Sequence, residues 1–213
     1  MLHAEKPVCF IYTPTTEFTK YINEFNMSLF EFLMVLVSVI VGLGIAEILT
    51  GTARTIRHRK SINGYWLLGV VVVLLFVALL QQWWEIWEFH AVSAWTFHGL
   101  LMMLAGPVGL FLMAHLVFPE PMQGANLQEH YYGAMRPMWW LGMVTITAST
   151  LFRPLIFQGD LIAIEEVTSF IGFFTLLALA VSKNRVLHTV LVPSLLLLIV
   201  LDVILAASVI SEH

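Results

Sequence analysis

Ionisable side chains are scarce in this chain, and the few inside or beside its apolar runs are where chemistry would have to occur. Gln81, Glu85 and Glu88 recur at i, i+4 and i+7, which puts them on one helix face. Asp202 stands among Leu197–Leu205, where a carboxylate must be paired, protonated or wet. His98 lies just beyond Glu88 at the head of the next run, and Glu165 and Glu166 sit in a later one. Carboxylate oxygens joined by one imidazole suit a divalent cation or a proton relay. The expected pocket is Glu85, Glu88, His98, Asp202 and Glu165, with Glu85 and Asp202 as its key groups. Two plainer readings stand beside it. Acidic residues at helix ends are commonly solvated at headgroup level, and at helix starts, as at Asp160, they complement the dipole. Alternatively, Arg153 ties Glu165 or Asp202 into a structural ion pair.

Histidines offer a second constellation. His115 and His188 fall at similar depth near opposite ends of their runs, and two axial imidazoles on facing helices can hold a haem. His98 precedes His115 by about 25 Å of helix, too far to serve the same iron. The chain has no C-x-x-C-H for covalent haem attachment, and interfacial histidines explain the pair more simply. A single cysteine, Cys9, excludes an intrachain disulfide and any cysteine-based zinc site. There is no nucleophile elbow and no Ser–His–Asp order, so a non-enzymatic role is favoured and no cofactor is firmly implied.

What must position these groups is a set of six long apolar runs, Ser28–Thr52, Tyr65–Glu88, Trp95–Phe118, Met135–Phe152, Leu161–Val181 and Leu187–Ile210. A helix needs about 20 apolar residues to cross a hydrocarbon core about 30 Å thick. Charged residues are only 11% of the 213, where a soluble domain carries about 25%. The mean hydropathy of +0.87 agrees. The expected fold is an all-α membrane protein, a compact bundle of six transmembrane helices spanning residues 27–213 with no soluble domain. Residues 1–26 read as a short polar tail without the basic start and apolar core of a signal peptide, and Met27 reads as an alternative start. A net charge of −4 with no basic groove points away from nucleic acid.

Orientation follows from the basic residues in the loops. Arg54, Arg57, Arg59, Lys60, Arg136, Lys183 and Arg185 fall on one side, and Lys6, Lys20 and Arg153 on the other. That asymmetry predicts odd-numbered loops in the cytoplasm and both termini outside. Arg54, Arg57, Arg59 and Lys60 could also hold anionic lipid headgroups, at about 1 kcal/mol each. Tyr65, Trp66, Trp139 and Trp140 at one level and Trp83, Trp84, Trp87 and Trp95 at the other read as aromatic belts. Glu47, one to two turns before Arg54, is expected to pair or snorkel at the cytoplasmic face.

Packing has its own signal. Ser38, Gly42, Ala46 and Thr50 draw a small-residue stripe that lets helices approach closely, either within the chain or in a homo-oligomer or larger membrane complex. Gly99, Gly106 and Gly109 around Pro107 predict a kink or a close crossing in the third run. The run SLFEFLMVLVSVIVGLGIAEILTGTARTIRHR, Ser28 to Arg59, resembles the opening of an uncharacterised family of small multi-span bacterial inner-membrane proteins. The WW-containing end of the second run and the HYY before Arg136 are similar to it as well. That family has no established activity, so the resemblance implies a bacterial inner-membrane location but no catalytic or binding residue.

Overall fold

A computed structural model of the chain describes residues 29–91, 96–133, 135–157 and 167–209. Its secondary structure is helical. Helix α1 covers Leu29–Arg57 and α2 covers Trp66–Ile86, which runs on into a 3-10 turn over Trp87–Ala91. Helix α3 spans Phe97–Leu116, a short α4 spans Leu127–Gly133, α5 spans Arg136–Phe157, α6 spans Val167–Val181 and α7 spans Arg185–Val209. Among the described residues there is no strand, only one isolated bridge between Asn63 and Asn126. Short polar residues start several helices by binding their free amides. The Thr96 hydroxyl accepts from Gly99 N at 3.1 Å, and Asn126 Oδ1 accepts from Gln128 N at 3.2 Å. Asn184 Oδ1 accepts from Val186 N at 3.0 Å.

Four helices, α1, α2, α3 and α7, are long and apolar enough to cross a membrane, and α6 is apolar but shorter, at 15 residues. Helix α5 has the length, at 22 residues, but is more polar, with Thr145, Thr147, Ser149 and Thr150 along it. The described residues are thus all-helical apart from their connections, with four candidate membrane spans among them, an architecture compatible with an integral membrane protein. The tail 1–26 and the expected start of the fifth run at Leu161 lie outside the described residues.

Contacts close a circuit in which α1 packs on α3, α3 on α5, α5 on α6, α6 on α7 and α7 on α2, which returns to α1. Helices α2 and α3 also touch across its interior. At one end, Arg54 of α1 reaches Glu120 just after α3, and Tyr65 before α2 meets Tyr132 of α4. At the other end, Trp83 of α2 donates to Ser38 of α1, and Gln81 reaches Asp202 of α7. The basic residues that set the predicted orientation therefore collect at the first end. The connections at that end are tied by backbone bonds, Asn63 N to Ala125 O at 3.2 Å and Leu127 N to Asn63 O at 3.1 Å.

Beyond the Trp83–Ser38 hydrogen bond, the small-residue stripe lies on the outer face of α1, away from the core. Ser38, Gly42, Ala46 and Thr50 are all exposed, and a Cβ on Gly42 would meet nothing within 4 Å. The inward face of α1 is instead Val37, Val41, Gly44, Ile48 and Gly51, alternating steps of four and three that keep one stripe on the core. Leu79 sits over Gly44, and the Phe118 ring fills the place a side chain at Gly51 would take. Of the two partners the stripe could face, a helix of this chain or a second protein, the core of the chain is not on its side, which is taken by Val37, Val41, Gly44, Ile48 and Gly51. In α3 the expectation of close crossing holds at particular atoms. Gly106 lies against the Gln82 amide of α2, and Gly109 lies against the Thr145 hydroxyl of α5.

Candidate functional site

Near the end opposite the basic residues, one side-chain amide joins two carboxylates. Gln81 Nε2 donates to Glu85 Oε1 at 2.9 Å, one turn along α2, and to Asp202 Oδ2 at 2.6 Å, across on α7. An amide nitrogen has two hydrogens, so the bridge uses its full donor capacity. All three side chains are half-buried. The helical spacing in α2 places Gln81 and Glu85 together, and the packing of α7 on α2 brings Asp202 to them.

Glu85 also lines a second polar feature. A cavity of about 20 Å³ lies between Glu85, Gln82, Met102, Met103 and Ser149. That is room for a single water molecule in a mostly apolar lining that Ile86 and Phe89 complete, where Gln82, Glu85 and Ser149 supply the polar groups. Glu85 thus stands between the amide bridge on one side and a water-sized space on the other. Gln82 and Ser149 were missed in the sequence reading. The consecutive glutamines at the end of an apolar run were the signal that could have flagged the first.

The remaining members of the expected pocket are placed differently. His98 is exposed at the start of α3 with its ring edge-on to Phe97 at 6.5 Å. Glu165 lies outside the described residues, as do Asp160 and Glu166, and the side chains of Glu88 and Arg153 are likewise not described. Among the described residues no three His, Cys, Asp or Glu side chains come together as a metal-binding group. The gathered core of the site is therefore Glu85 and Asp202, with Gln81 between them.

The basic end carries two other networks. Glu47 Oε1 lies 3.6 Å from Arg54 Nη2 and 3.2 Å from His115 Nδ1, and Arg54 Nη1 donates to Glu120 Oε1 at 2.7 Å. The expected pairing of Glu47 with Arg54 is present. Glu47 and Arg54 are half-buried while His115 and Glu120 are exposed, and solvent-accessible ion pairs contribute about 1 kcal/mol or less, so the cluster aligns α1 with α3 more than it stabilises them. Arg57, Arg59 and Lys60 are exposed at the same end, outside the Arg54 network.

His188 is buried at the start of α7. Its Nε2 donates to Ser182 O at 3.0 Å, so its Nδ1 is the acceptor for the Tyr131 hydroxyl at 3.0 Å. Tyr131, Tyr132 and Trp139 surround the ring edge-on, and Arg185 stands 5.6 Å over the Tyr132 ring. The Tyr65 and Tyr132 hydroxyls share a further bond at 2.9 Å. Burial pushes the phenols of Tyr65 and Tyr131 well above their usual range, so both stay neutral donors. With both ring nitrogens committed, His188 would have to break a buried bond to take an iron, and His115 is turned to Glu47. The pair is explained by internal hydrogen bonding.

No family model, no curated protein and no solved structure matches this chain. The likeness to a small multi-span family therefore rests on Ser28–Arg59, the WW-containing end of the second run and the HYY before Arg136 alone.

Proposed function

We propose that the chain is an integral membrane protein that passes or senses a proton or small cation at the Glu85–Gln81–Asp202 bridge. One observation carries this reading, the two carboxylate oxygens held on a single amide nitrogen. Unit charges about 5 Å apart repel by about 3 kcal/mol at an effective dielectric of about 20. Glu85 also sits at the C-terminal end of α2, where the helix dipole opposes a negative charge. A proton or a cation between the carboxylates relieves both terms, and the adjoining water-sized cavity supplies a place from which it can arrive. In this reading the six helices all span a bacterial inner membrane. The basic end with Arg57, Arg59 and Lys60 faces the cytoplasm, and the bridge and both termini face outward.

The test is flux in proteoliposomes, read with a pH-sensitive dye and with a cation-sensitive dye in parallel. Asp202→Asn and Glu85→Gln are each expected to reduce one of the two fluxes at least about tenfold, with Gln81→Leu intermediate. Wild-type flux in both carboxylate variants overturns the proposal.

A second reading is favoured by the outward stripe. Ser38, Gly42, Ala46 and Thr50 are exposed together on α1, which suits a subunit that docks on another membrane helix. Gly42→Leu should then disperse an oligomer or complex seen with the wild-type protein. A monomer that is indifferent to Gly42→Leu removes this reading.

A further inference from the structure

The last turn of α1 and the turn that follows it carry three cations, Arg57, Arg59 and Lys60, all exposed. Arg54, one turn earlier, is set apart from them because Glu47 and Glu120 hold its guanidinium. The turn itself is pinned to the helix end. His58 N and Nδ1 both donate to Arg54 O, at 3.0 and 2.9 Å, and Ser61 N and Oγ both donate to His58 O, at 2.8 and 3.0 Å. Arg59 and Lys60 therefore stand on a fixed backbone, which lowers the ordering cost of binding a ligand. Arg57 lies where the helix dipole favours a cation.

An apolar strip leads up to these charges. Leu49, Ala53, Ile56 and Arg57 recur at i, i+4, i+7 and i+8, which sets them on one face of α1, and all four are exposed. Leu49 and Ile56 are each 58% exposed. The rise from Leu49 to Arg57 is about 12 Å. Trp66 is exposed at the first residue of α2, at the same end, and indole rings favour the headgroup level. One outward face of a helix long enough to cross a membrane thus passes from alkyl side chains to a cationic turn.

We propose that this face binds an anionic phospholipid, its phosphate held by Arg57, Arg59 and Lys60 and an acyl chain laid along Ile56, Ala53 and Leu49. Guanidinium groups match phosphate oxygens in geometry as well as in charge. The alkyl strip running directly into the cations selects a lipid over a soluble phosphate, which would use the charges alone. The assignment is independent of the carboxylate bridge, which lies toward the other end of the bundle.

The test uses the full chain in an uncharged detergent, titrated separately with phosphatidylglycerol and phosphatidylcholine, each labelled at the acyl end and read by energy transfer from tryptophan. The wild type is expected to bind phosphatidylglycerol at least about tenfold more tightly. Each of Arg57→Gln, Arg59→Gln and Lys60→Gln should cut that preference about fivefold, the attraction of one basic residue to an anionic surface, and the triple variant should bind the two lipids alike. Arg185→Gln, which removes the same charge from α7, and Asp202→Asn should leave the preference unchanged. Salt at about 1 M, where the screening length is about 3 Å, should erase it in the wild type. Far-ultraviolet circular dichroism confirms that the variants are folded. Equal binding of the two lipids by the wild type overturns the proposal, as does a loss in Arg185→Gln as large as in Arg57→Gln. Displacement of the lipid by glycerol phosphate at equal concentration would mark a site for soluble anions and also overturns it.

Discussion

The Tyr131 hydroxyl lies 3.0 Å from His188 Nδ1, a buried bond that fastens the short helix α4 to the start of α7. Tyr131 is 1% exposed and His188 3%, so neither group can exchange the bond for water. Removing the hydroxyl in Tyr131→Phe leaves an unsatisfied acceptor in the interior. The expected loss is about 1–3 kcal/mol of stability, measured as unfolding in a fixed detergent. Tyr132→Phe, which loses a half-buried hydroxyl contact to Tyr65, should cost less.

The two faces of α1 give a paired prediction. Gly51→Ala forces the Phe118 ring aside and should destabilise by about 1–3 kcal/mol. Gly42→Ala meets open space and gains helix propensity, so it should be neutral or stabilising by up to about 1 kcal/mol. Melting temperatures of the two variants in the same detergent check the order. A reversed order would mean that α1 is rotated about its axis.

Arg136 holds the end of α6 from the start of α5. Its Nε donates to Ala180 O at 3.0 Å and its Nη2 to Val181 O at 3.5 Å, on carbonyls that have no helical partner. Arg136→Ala should loosen that terminus at a cost of about 1–2 kcal/mol. Hydrogen exchange should rise in the segment Ala180–Lys183 while the middle of α5 stays protected.

His130 should make stability depend on pH. Its Nε2 donates to Val117 O at 3.2 Å, and burial holds the ring below its ordinary value of 6.5, with the Val117 and Leu116 carbonyls partly opposing that shift. The folded chain therefore binds fewer protons than the unfolded chain in this window. Stability from His130 is complete above the ordinary histidine value and is lost as pH falls from there through the folded value. Melting temperatures measured from about pH 7.5 down to about pH 5 should fall less steeply for His130→Asn than for the wild type.

The helices were legible because apolar length is a strong signal, and the observed ends of α2 and α3 fall within two residues of the runs read from sequence. The end of α1 was not, since Ala53–Arg57 are polar enough to read as loop yet continue the backbone ladder to Arg57. Asp202 and Glu85 could be singled out from burial cost alone, but their junction depends on which helix lies beside α2, and the amphipathic pattern of an apolar helix says little about its neighbour. Gln81 was seen on the right face without its role, because an amide reveals its partners only in three dimensions. The outward direction of the α1 stripe has the same cause. Small residues announce that a helix can be approached, and only packing decides whether anything within the chain does so.

The backbone bonds between Asn63 and the Ala125–Leu127 segment knit two connections at one end into a clasp. Two helix pairs leave that clasp side by side, and α2 carries the amide bridge at its far tip. The start of α7 is fastened beside it through the Tyr131–His188 bond, so both helices that carry the Gln81–Asp202 contact are tied at one end and joined by a single side-chain bridge toward the other.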